Sequence, residues 1–198
     1  MKVELILLGA GKSSRMGTNK LLLPWKDSTV LNETLKTIQT VKKIRQTHIV
    51  LPENNPQLIE YSASLKISNL NILLNPDPDS EMLDSIRIGL NACLDIDYAM
   101  ILPADHPATT TNLFEVLIQS MNQKASIIVP YSDNRRQGHP ICIHKNLFPS
   151  IQNNYDQNGL RGIFKDHEGS VLRVKIEDDN ALRDIDTPQD YQEFIKNH

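Results

Sequence analysis

Short apolar runs alternate with helix-like patterns along most of the chain. The run Val3–Leu8 has the length of a strand and stops at Gly9, which predicts a central parallel strand buried on both faces. Between residues 29 and 41, apolar residues recur at helical spacing and predict the first helix. Further strands are predicted at residues 48–51, 71–74, 98–102, 126–129, 141–143 and 171–175. Further helices are predicted at residues 55–66, 80–94, 113–121, 160–167 and 187–196.

This alternation predicts a single α/β domain in which helices cover both faces of a largely parallel sheet. Residues 132–157 interrupt the alternation, and we expect an antiparallel excursion there that could hold an acceptor substrate. The helix that follows residue 80 is expected to have Ser80 as its N-cap and an apolar stripe through Met82, Ile86, Leu90 and Cys93.

Length and composition fit one ordinary globular domain. The chain has 198 residues, of which 39% are hydrophobic and 23% are charged. Its formal net charge of -3 argues against nucleic acid or an anionic membrane as the main partner, since both favour a basic face. The two cysteines, Cys93 and Cys142, have no metal-binding spacing and are expected to be buried. No segment resembles a signal sequence or reaches transmembrane length, so a cytoplasmic location is expected.

The loop after the first strand is the most informative segment. Residues 8–20 hold three glycines and three cationic side chains, and glycine lets successive backbone N–H groups approach an anion. Open α/β sheets bind ligands at the carboxyl ends of their strands, where this loop lies. It is not a P-loop, because Ile6 stands where that loop needs its first glycine. It is not the dinucleotide fingerprint either, because Ser14 replaces the third glycine.

The loop does fit the pattern L-x-A-G-x-S-x-R-M-G-x-x-K, supplied by Leu8, Ala10, Gly11, Ser13, Arg15, Met16, Gly17 and Lys20. It resembles the signature loop of the MobA-like nucleotidyltransferases, and within that family most closely the molybdenum cofactor cytidylyltransferases. The resemblance implies a fold of the nucleotide-diphospho-sugar transferase type, a Rossmann-like three-layer sandwich with a mostly parallel mixed sheet. It also implies that nucleotide is contacted by Leu8, Gly9, Ala10, Gly11, Ser13, Arg15 and Lys20.

Arg15 and Lys20 would lie along the triphosphate and act as catalytic cations, because both suit the charge that builds on a leaving pyrophosphate. Arg15 can bond in a fork, whereas Lys20 acts as a point charge. The alternative is a glycine-rich turn with two surface cations and no ligand.

Asp105 follows an apolar strand and is the main candidate for a metal ligand. Mg²⁺ takes oxygen ligands and keeps several waters, so one or two carboxylates suffice; an aspartate that caps a turn beside Pro107 is the alternative. The family has an acid here, followed two residues later by proline, so the resemblance implies catalytic, nucleotide-binding and Mg²⁺-binding roles for Asp105. It makes Asp186 a second candidate ligand, although residues 187–190 are also typical of a helix start.

The resemblance also bears on the nucleobase. The family's base-reading loop corresponds to the connection around residue 80, where the nucleotide contacts would be Asn75, Ser80, Met82 and Ser85. Glu81 replaces the usual glycine, which puts close backbone approach to the base in doubt. Within the family, an Ala-Gly pair in the first loop accompanies cytidylyl transfer and a Gly-Gly pair guanylyl transfer. Ala10 and Gly11 therefore favour CTP.

The acceptor side is implied by a Gly-His-Pro segment and by a later Gly-Leu-Arg. The acid that usually precedes the second motif is displaced by one position, to Asp156, which weakens this part of the resemblance. The two adjacent arginines before the first motif could hold the terminal phosphate of a pterin, and a solvated surface loop is the alternative. The implied acceptor-binding residues are His106, Arg135, Arg136, Gly138, His139 and Arg161.

These expectations describe a Mg²⁺-dependent enzyme that transfers CMP from CTP to a phosphorylated acceptor, preferably molybdopterin, and releases pyrophosphate. Residues 1–107 would form the nucleotide-binding part, and residues 108–198 the acceptor-binding part. The same chemistry with GTP, or with a sugar or polyol phosphate, is the first alternative. A non-catalytic nucleotide-binding module is the alternative from another class. A molybdoenzyme or its chaperone could receive the product.

Overall fold

The computed structural model describes residues 1–11, 19–77, 79, 81–121, 125–134, 137–156 and 158–197. Their strands are Val3–Leu8 (β1), Pro24–Trp25 (β2), Ser28–Thr29 (β3), Ile44–Pro52 (β4), Leu70–Asn75 (β5), Tyr98–Pro103 (β6), Ile127–Tyr131 (β7), Ile141–His144 (β8) and Val171–Lys175 (β9). Their α-helices are Val30–Thr40 (α1), Pro56–Ser64 (α2), Met82–Ala92 (α3), Thr111–Gln119 (α4), Phe148–Asn153 (α5), Gly159–Asp166 (α6) and Pro188–Asn197 (α7). None of the helices in these ranges is long and apolar enough to cross a membrane.

Within the described ranges, seven strands form one sheet in the order β5-β4-β1-β6-β8-β7-β9. The neighbouring pairs from β5 to β6 are parallel, as is the pair of β7 and β9. Only β8 runs against its neighbours, β6 and β7. The predictions of a mostly parallel sheet and of an antiparallel excursion after residue 132 are both confirmed.

Two apolar cores lie on opposite faces of this sheet, so the predicted three-layer sandwich is also confirmed. Alternate residues of β1 enter different cores, with Leu5 and Leu7 on one face and Ile6 and Leu8 on the other. The first core is closed by side chains from α1, α2, α4 and α7. The second core is closed by side chains from α3, α5 and α6.

Several helices begin where a polar side chain satisfies a free backbone N–H group. Thr29 Oγ1 accepts a hydrogen bond from Asn32 N at 3.2 Å and starts α1. Thr110 Oγ1 accepts one from Leu113 N at 3.3 Å and starts α4. Such a cap stabilises a helix by about 1 kcal/mol. The start of α1 agrees with the prediction to within one residue, whereas α4 begins two residues before its predicted start because Thr110 caps it.

The start of α3 differs from the prediction in two respects. Its N-cap is Glu81 rather than Ser80, and Asp84 Oδ2 accepts a hydrogen bond from Glu81 N at 3.1 Å. Met82 is not part of the buried stripe, because 52% of its surface is exposed. The stripe begins one residue later and consists of Leu83, Ile86 and Leu90 together with small residues between them. Both registers fit helical spacing, and packing on the sheet selects this one.

A short hairpin formed by β2 and β3 was not predicted, since two-residue strands leave no periodic signal. It attaches the chain after Lys20 to the C-terminal helix. Trp25 packs on Phe194 with ring centroids 5.5 Å apart, and the Tyr191 hydroxyl donates to Pro24 O at 2.6 Å. An aromatic pair of this kind adds about 0.5–1.5 kcal/mol beyond its buried area. The hairpin thereby holds the segment after Lys20 against the C-terminal helix.

Candidate functional site

The carboxyl ends of β1 and β6 lie side by side. The two strands are parallel, with Leu8 opposite Pro103, and Ala104 N continues the pairing by donating to Leu8 O at 2.9 Å. Gly9 N donates to Val50 O at 2.8 Å on the other side of β1. The first glycine loop and Asp105 therefore leave the sheet next to each other, at the edge where open α/β sheets bind ligands.

Gly9 allows the chain to pass close to β4. A Cβ atom at this position would lie 2.7 Å from Leu51 Cδ2 and 3.3 Å from Val50 O. Both neighbours belong to the buried central part of the sheet, so a side chain here would force the packed Leu51 side chain or the neighbouring backbone to shift.

Lys20 lies at the centre of the candidate site and contacts three other residues of it. It begins a 3₁₀ turn, Lys20–Leu22, which Asn19 caps by accepting a hydrogen bond from Leu21 N at 3.2 Å. Lys20 Nζ forms a close ion pair with Asp105 Oδ2 and donates to Ile185 O at 2.8 Å. It also lies 3.4 Å from Asp186 Oδ1. Oxygen atoms from two distant segments of the chain thus surround one cation.

Lys20 and Asp105 each stabilise the charged form of the other. Burial on its own would lower the pKa of Lys20, but the attraction of Asp105 and Asp186 outweighs it and raises that pKa. Burial would raise the pKa of Asp105, but hydrogen bonds and charges from His106 and Lys20 lower it to about 2. At neutral pH the site therefore holds an ammonium group and a carboxylate, both fully charged.

Asp105 is held in place from several sides. His106 Nδ1 donates to Asp105 Oδ1 at 3.0 Å, and His106 itself is buried. The backbone around it is fixed as well, because Ile185 N donates to Asp105 O at 3.1 Å and Thr34 Oγ1 donates to Ala104 O at 3.2 Å. The carboxylate is therefore preorganised rather than free to rotate.

His139 joins this group from the segment before β8. Its ring meets the ring of His106 edge to face, with centroids 5.5 Å apart. Burial, assisted by His106 and opposed by Asp105, lowers the pKa of His139 to about 3, so its imidazole is neutral at physiological pH. The adjacent Gly138 packs against Leu182, where a Cβ atom would meet side-chain carbons at 3.1 Å. The predicted acceptor residues His106, Gly138 and His139 thus lie together beside Asp105.

The helix start after Asp186 serves as a structural cap, as one of the two sequence interpretations expected. Asp190 Oδ2 accepts hydrogen bonds from Thr187 N and Thr187 Oγ1, both at 2.8 Å, and from Asp186 N at 3.2 Å. Burial would raise the pKa of Asp190, but these hydrogen bonds lower it. The Asp186 carboxylate is not used in this cap, and about half of its surface is exposed beside Lys20.

The predicted base-reading residues are only partly brought together. Asn75 and Ser85 are both buried, and Asn75 Nδ2 donates to Ser85 Oγ at 3.0 Å. Asn75 Oδ1 accepts from Asp77 N at 3.1 Å, which shapes the connection between β5 and α3. Met82 stands exposed at the start of α3, so its side chain is accessible to a ligand.

Some predicted site residues lie outside the described ranges: Ser13, Arg15, Ser80, Arg135 and Arg136. Their assigned roles stay predictions. Arg161 is described, but it is exposed on α6 and takes no part in the hydrogen bonds and ion pairs of the Lys20 and Asp105 group among the described residues. Its acceptor-binding role also stays a prediction.

Sequence reasoning missed one contact of Lys20 in the candidate site, the carbonyl oxygen of Ile185. Nothing in the sequence marks a backbone carbonyl as a ligand, and its position follows from the packing of α7 on the β2–β3 hairpin. The donor set at Lys20 is composed of two carboxylates and this carbonyl. Oxygen donors of this kind fit a hard divalent cation such as Mg²⁺ or Mn²⁺.

The chain is similar to known nucleotidyltransferases in sequence and to solved structures in fold. A family model described as the MobA-like NTP transferase domain matches residues 5–171. The molybdenum cofactor cytidylyltransferase of Escherichia coli (strain K12) is 30% identical over 191 residues, which cover 96% of this chain and 93% of that protein. Rv0371c from Mycobacterium tuberculosis H37Rv superposes with a TM-score of 0.85 at 21% identity, and 99% of each chain is covered. A complex of Rv0371c with manganese superposes with a TM-score of 0.81 at 18% identity, covering 99% of this chain and 98% of that one.

Proposed function

Since the chain belongs to the MobA-like nucleotidyltransferases and is an enzyme of that class, we propose that it transfers CMP from CTP to molybdopterin. The terminal phosphate of the acceptor would attack the α-phosphorus of CTP, and pyrophosphate would leave. The observation that carries this proposal is the group formed by Lys20, Asp105 and Asp186 at the carboxyl ends of β1 and β6. It supplies a cation for phosphate and anions for a metal at one point.

Lys20 would contribute electrostatic stabilisation. Its ammonium group is held between Asp105, Asp186 and the Ile185 carbonyl. When a triphosphate enters, the ammonium can exchange a carboxylate oxygen for a phosphate oxygen at little cost, since both are anionic acceptors. Charge that builds on the departing pyrophosphate would then be met by Lys20 and by Arg15.

Asp105 and Asp186 would hold Mg²⁺, with the Ile185 carbonyl as a further oxygen donor. When bound, Mg²⁺ neutralises phosphate charge and orients the triphosphate for in-line attack. His106 keeps Asp105 oriented through its 3.0 Å hydrogen bond. No strong base is required of His106 or His139, because a phosphate nucleophile is already anionic at neutral pH.

The choice of CTP rests on Ala10, which follows Gly9 at the end of β1. In the resemblance drawn from the sequence, an Ala-Gly pair at this point accompanies cytidylyl transfer. The buried Asn75 and Ser85 pair and the exposed Met82 lie at the start of α3 and would form the nucleobase side. We assign this side and the glycine loop to a nucleotide-binding part, residues 1–107.

Molybdopterin is proposed as acceptor because the Escherichia coli relative that covers 96% of this chain is a molybdenum cofactor cytidylyltransferase. His106, Gly138 and His139 would line the acceptor side next to Asp105, and Arg135, Arg136 and Arg161 would supply charge for its phosphate. Apart from His106, which borders the two halves, these residues fall in the part 108–198, which we assign to acceptor binding.

The proposal is tested by measuring pyrophosphate release from CTP and from GTP, each with Mg²⁺ and with or without molybdopterin. We expect release that depends on molybdopterin and is at least tenfold faster with CTP. Asp105→Asn should abolish it, whereas Asp95→Asn should not, because Asp95 is an exposed residue paired with Lys2. Equal or faster release with GTP would contradict the assignment of CTP. Release with a sugar phosphate but not with molybdopterin would contradict the acceptor.

A further inference from the structure

A buried carboxylate stands in the middle of the sheet, far from the site described above. Glu4 is the second residue of β1, and only 4% of its surface is exposed. It lies about 13 Å along the strand from Leu8, at 3.3 Å per residue, towards the edge opposite Asp105. A charge buried in the interior is costly unless it is paired or binds a metal, so Glu4 calls for a partner.

Two potential metal ligands surround Glu4. Glu4 Oε2 lies 2.9 Å from His48 Nε2, and His48 belongs to β4 and is equally buried. Cys93 follows the last residue of α3 and brings its Sγ atom to the same place. The three ligand atoms, one from each side chain, all lie within 4.8 Å of one another. Among the described residues, no other three His, Cys, Asp or Glu side chains come this close.

We propose that Glu4, His48 and Cys93 bind a zinc ion, at a site separate from the nucleotide centre. Thiolate, imidazole and carboxylate are the three ligand types that Zn²⁺ takes in proteins, and a tetrahedral ion bound to three side chains keeps one position for water. One carboxylate and one thiolate offset the two charges of a divalent cation. The remaining positive charge is that of Arg45, whose half-exposed guanidinium lies 3.6 Å from Glu4 Oε1 and is partly solvated.

The neighbouring side chains orient these ligands. The Asn71 amide nitrogen lies 3.2 Å from His48 Nδ1 and donates to it, so in the metal-free chain the His48 ring carries its proton on Nε2. When a metal takes Nε2, the proton moves to Nδ1, and the Asn71 amide can turn to accept from Nδ1 with its oxygen and hold the ring. Arg45 approaches the other oxygen of Glu4, with its guanidinium nitrogen 3.6 Å from Oε1. Glu4 Oε2 is then available as a single ligand atom. Such outer contacts are a regular part of protein zinc sites.

Binding would release a proton. Burial, with Glu4, raises the pKa of the Cys93 thiol to about 12, so this thiol is neutral at physiological pH when no metal is bound. Zn²⁺ would replace the thiol proton and form a Zn–S bond, and the proton would pass to solvent. Affinity should therefore rise with pH. Only Cys93 is involved, because Cys142 lies on β8 and is fully buried elsewhere.

The nature of the donors separates this site from the metal centre at Asp105. That centre offers only oxygen atoms and suits hard cations, whereas a site with thiolate and imidazole selects zinc or cobalt. A zinc ion here would connect β1, β4 and the end of α3. It would stabilise the far end of the helix whose first turn carries Met82 and Ser85.

The test uses the full chain, stripped of metal with a chelator and titrated with Co²⁺. We expect one equivalent to produce a near-ultraviolet thiolate-to-cobalt band and visible absorption typical of tetrahedral cobalt, both lost when Zn²⁺ is added. Cys93→Ser should abolish the charge-transfer band, and Cys142→Ser, the matched control, should retain it. Asn71→Ala should weaken cobalt binding by about 10–100-fold.

Two further measurements distinguish the loss of a metal ligand in Cys93→Ser from a defect in its folding. Zn²⁺ should raise the melting temperature of the wild-type chain but not that of Cys93→Ser, since a ligand stabilises only a protein that binds it. Pyrophosphate release should be the same for both chains without zinc. The proposal is wrong if cobalt gives no charge-transfer band, if that band survives in Cys93→Ser, or if it is lost in Cys142→Ser.

Discussion

The ammonium group of Lys20 and the carboxylate of Asp105 form a close ion pair across the carboxyl edge of the sheet. The two residues are far apart in the sequence, since Lys20 follows the glycine loop after β1 and Asp105 follows β6. Only the pairing of these strands brings them together. Lys20 thus contacts the two carboxylates that the proposed function assigns to a divalent cation. In that proposal, the metal and the triphosphate would take over the contacts that Lys20 makes here.

Replacing Lys20 by methionine should change metal binding and turnover in opposite directions. Turnover should fall by about 10²–10³-fold, the usual cost of losing one preorganised group that stabilises transition-state charge. Mn²⁺ should bind the nucleotide-free protein more tightly, because no ammonium group competes for Asp105. Pyrophosphate release and electron paramagnetic resonance of free Mn²⁺ measure the two effects.

Lys36→Met provides the control for this change. Lys36 is an exposed lysine on α1 that pairs with Glu33, and exposed pairs of this kind contribute little. Neither turnover nor Mn²⁺ affinity should move. A Lys20→Met protein that turns over at the wild-type rate would remove the catalytic role assigned to Lys20.

Substitutions of Asp186 and of Asp190 should affect different properties, the first Mn²⁺ binding and the second the stability of the fold. Asp186→Asn should weaken Mn²⁺ binding in the presence of CTP by about tenfold, or about 1.4 kcal/mol, and leave the unfolding midpoint unchanged. Asp190→Asn should do the reverse and lower the free energy of unfolding by about 1 kcal/mol, because Asp190 caps α7. If Asp186→Asn had no effect on Mn²⁺, then Asp186 would serve only as the residue before a helix cap.

The stability of the fold should decline in mild acid because of His139. Its pKa is lowered from 6.5 to about 3, mainly by burial, so the folded chain keeps it neutral while the unfolded chain takes up a proton below about pH 6.5. The contribution is complete above that pH and is lost as the pH falls towards 3. One proton changes the free energy of unfolding by at most about 1.4 kcal/mol per pH unit.

Urea unfolding between pH 7 and pH 5 measures this effect. His139→Gln should have a shallower dependence on pH than the wild type, whereas His167→Gln, altered just after α6, should match it. An unchanged slope for His139→Gln would show that another group is responsible for the acid sensitivity.

Adding a side chain at Gly9 should lower the stability of the fold. Gly9→Ala places a Cβ atom 2.7 Å from Leu51 Cδ2, and such overpacking costs about 1–3 kcal/mol. Gly169→Ala is the matched control, because open space surrounds a Cβ atom at that position. Thermal unfolding compares the two, and equal midpoints would mean that the loop moves aside without cost.

Much of the fold could be predicted because its signals are local. The buried strands β1 and β6 are short apolar runs that end at Gly9 and Pro103, and α1 has both an apolar stripe and a threonine cap. Parallel pairing then brings the strand ends together. That is why the sequence predicts the glycine loop and Asp105 at one edge of the sheet.

The rest depends on contacts between distant segments, which leave little trace in the sequence. The direct pairing of Lys20 with Asp105 and the Ile185 carbonyl requires the β2–β3 hairpin to pack on α7. Both cysteines were expected to be buried, which is confirmed for Cys142, whereas Cys93 is only partly buried. Its potential metal partners Glu4 and His48 left no spacing signal, because they are separated along the chain and meet only in the sheet. The orientation of Met82 was also decided by packing and not by spacing.

A crystal structure of the protein with CTP and Mg²⁺ tests the central claim most directly. We predict triphosphate density along the loop that follows Gly9, with a metal ion on Asp105 and the Lys20 ammonium moved from that carboxylate to a phosphate oxygen. Nucleotide bound at another surface, with the contact between Lys20 and Asp105 intact, would contradict it.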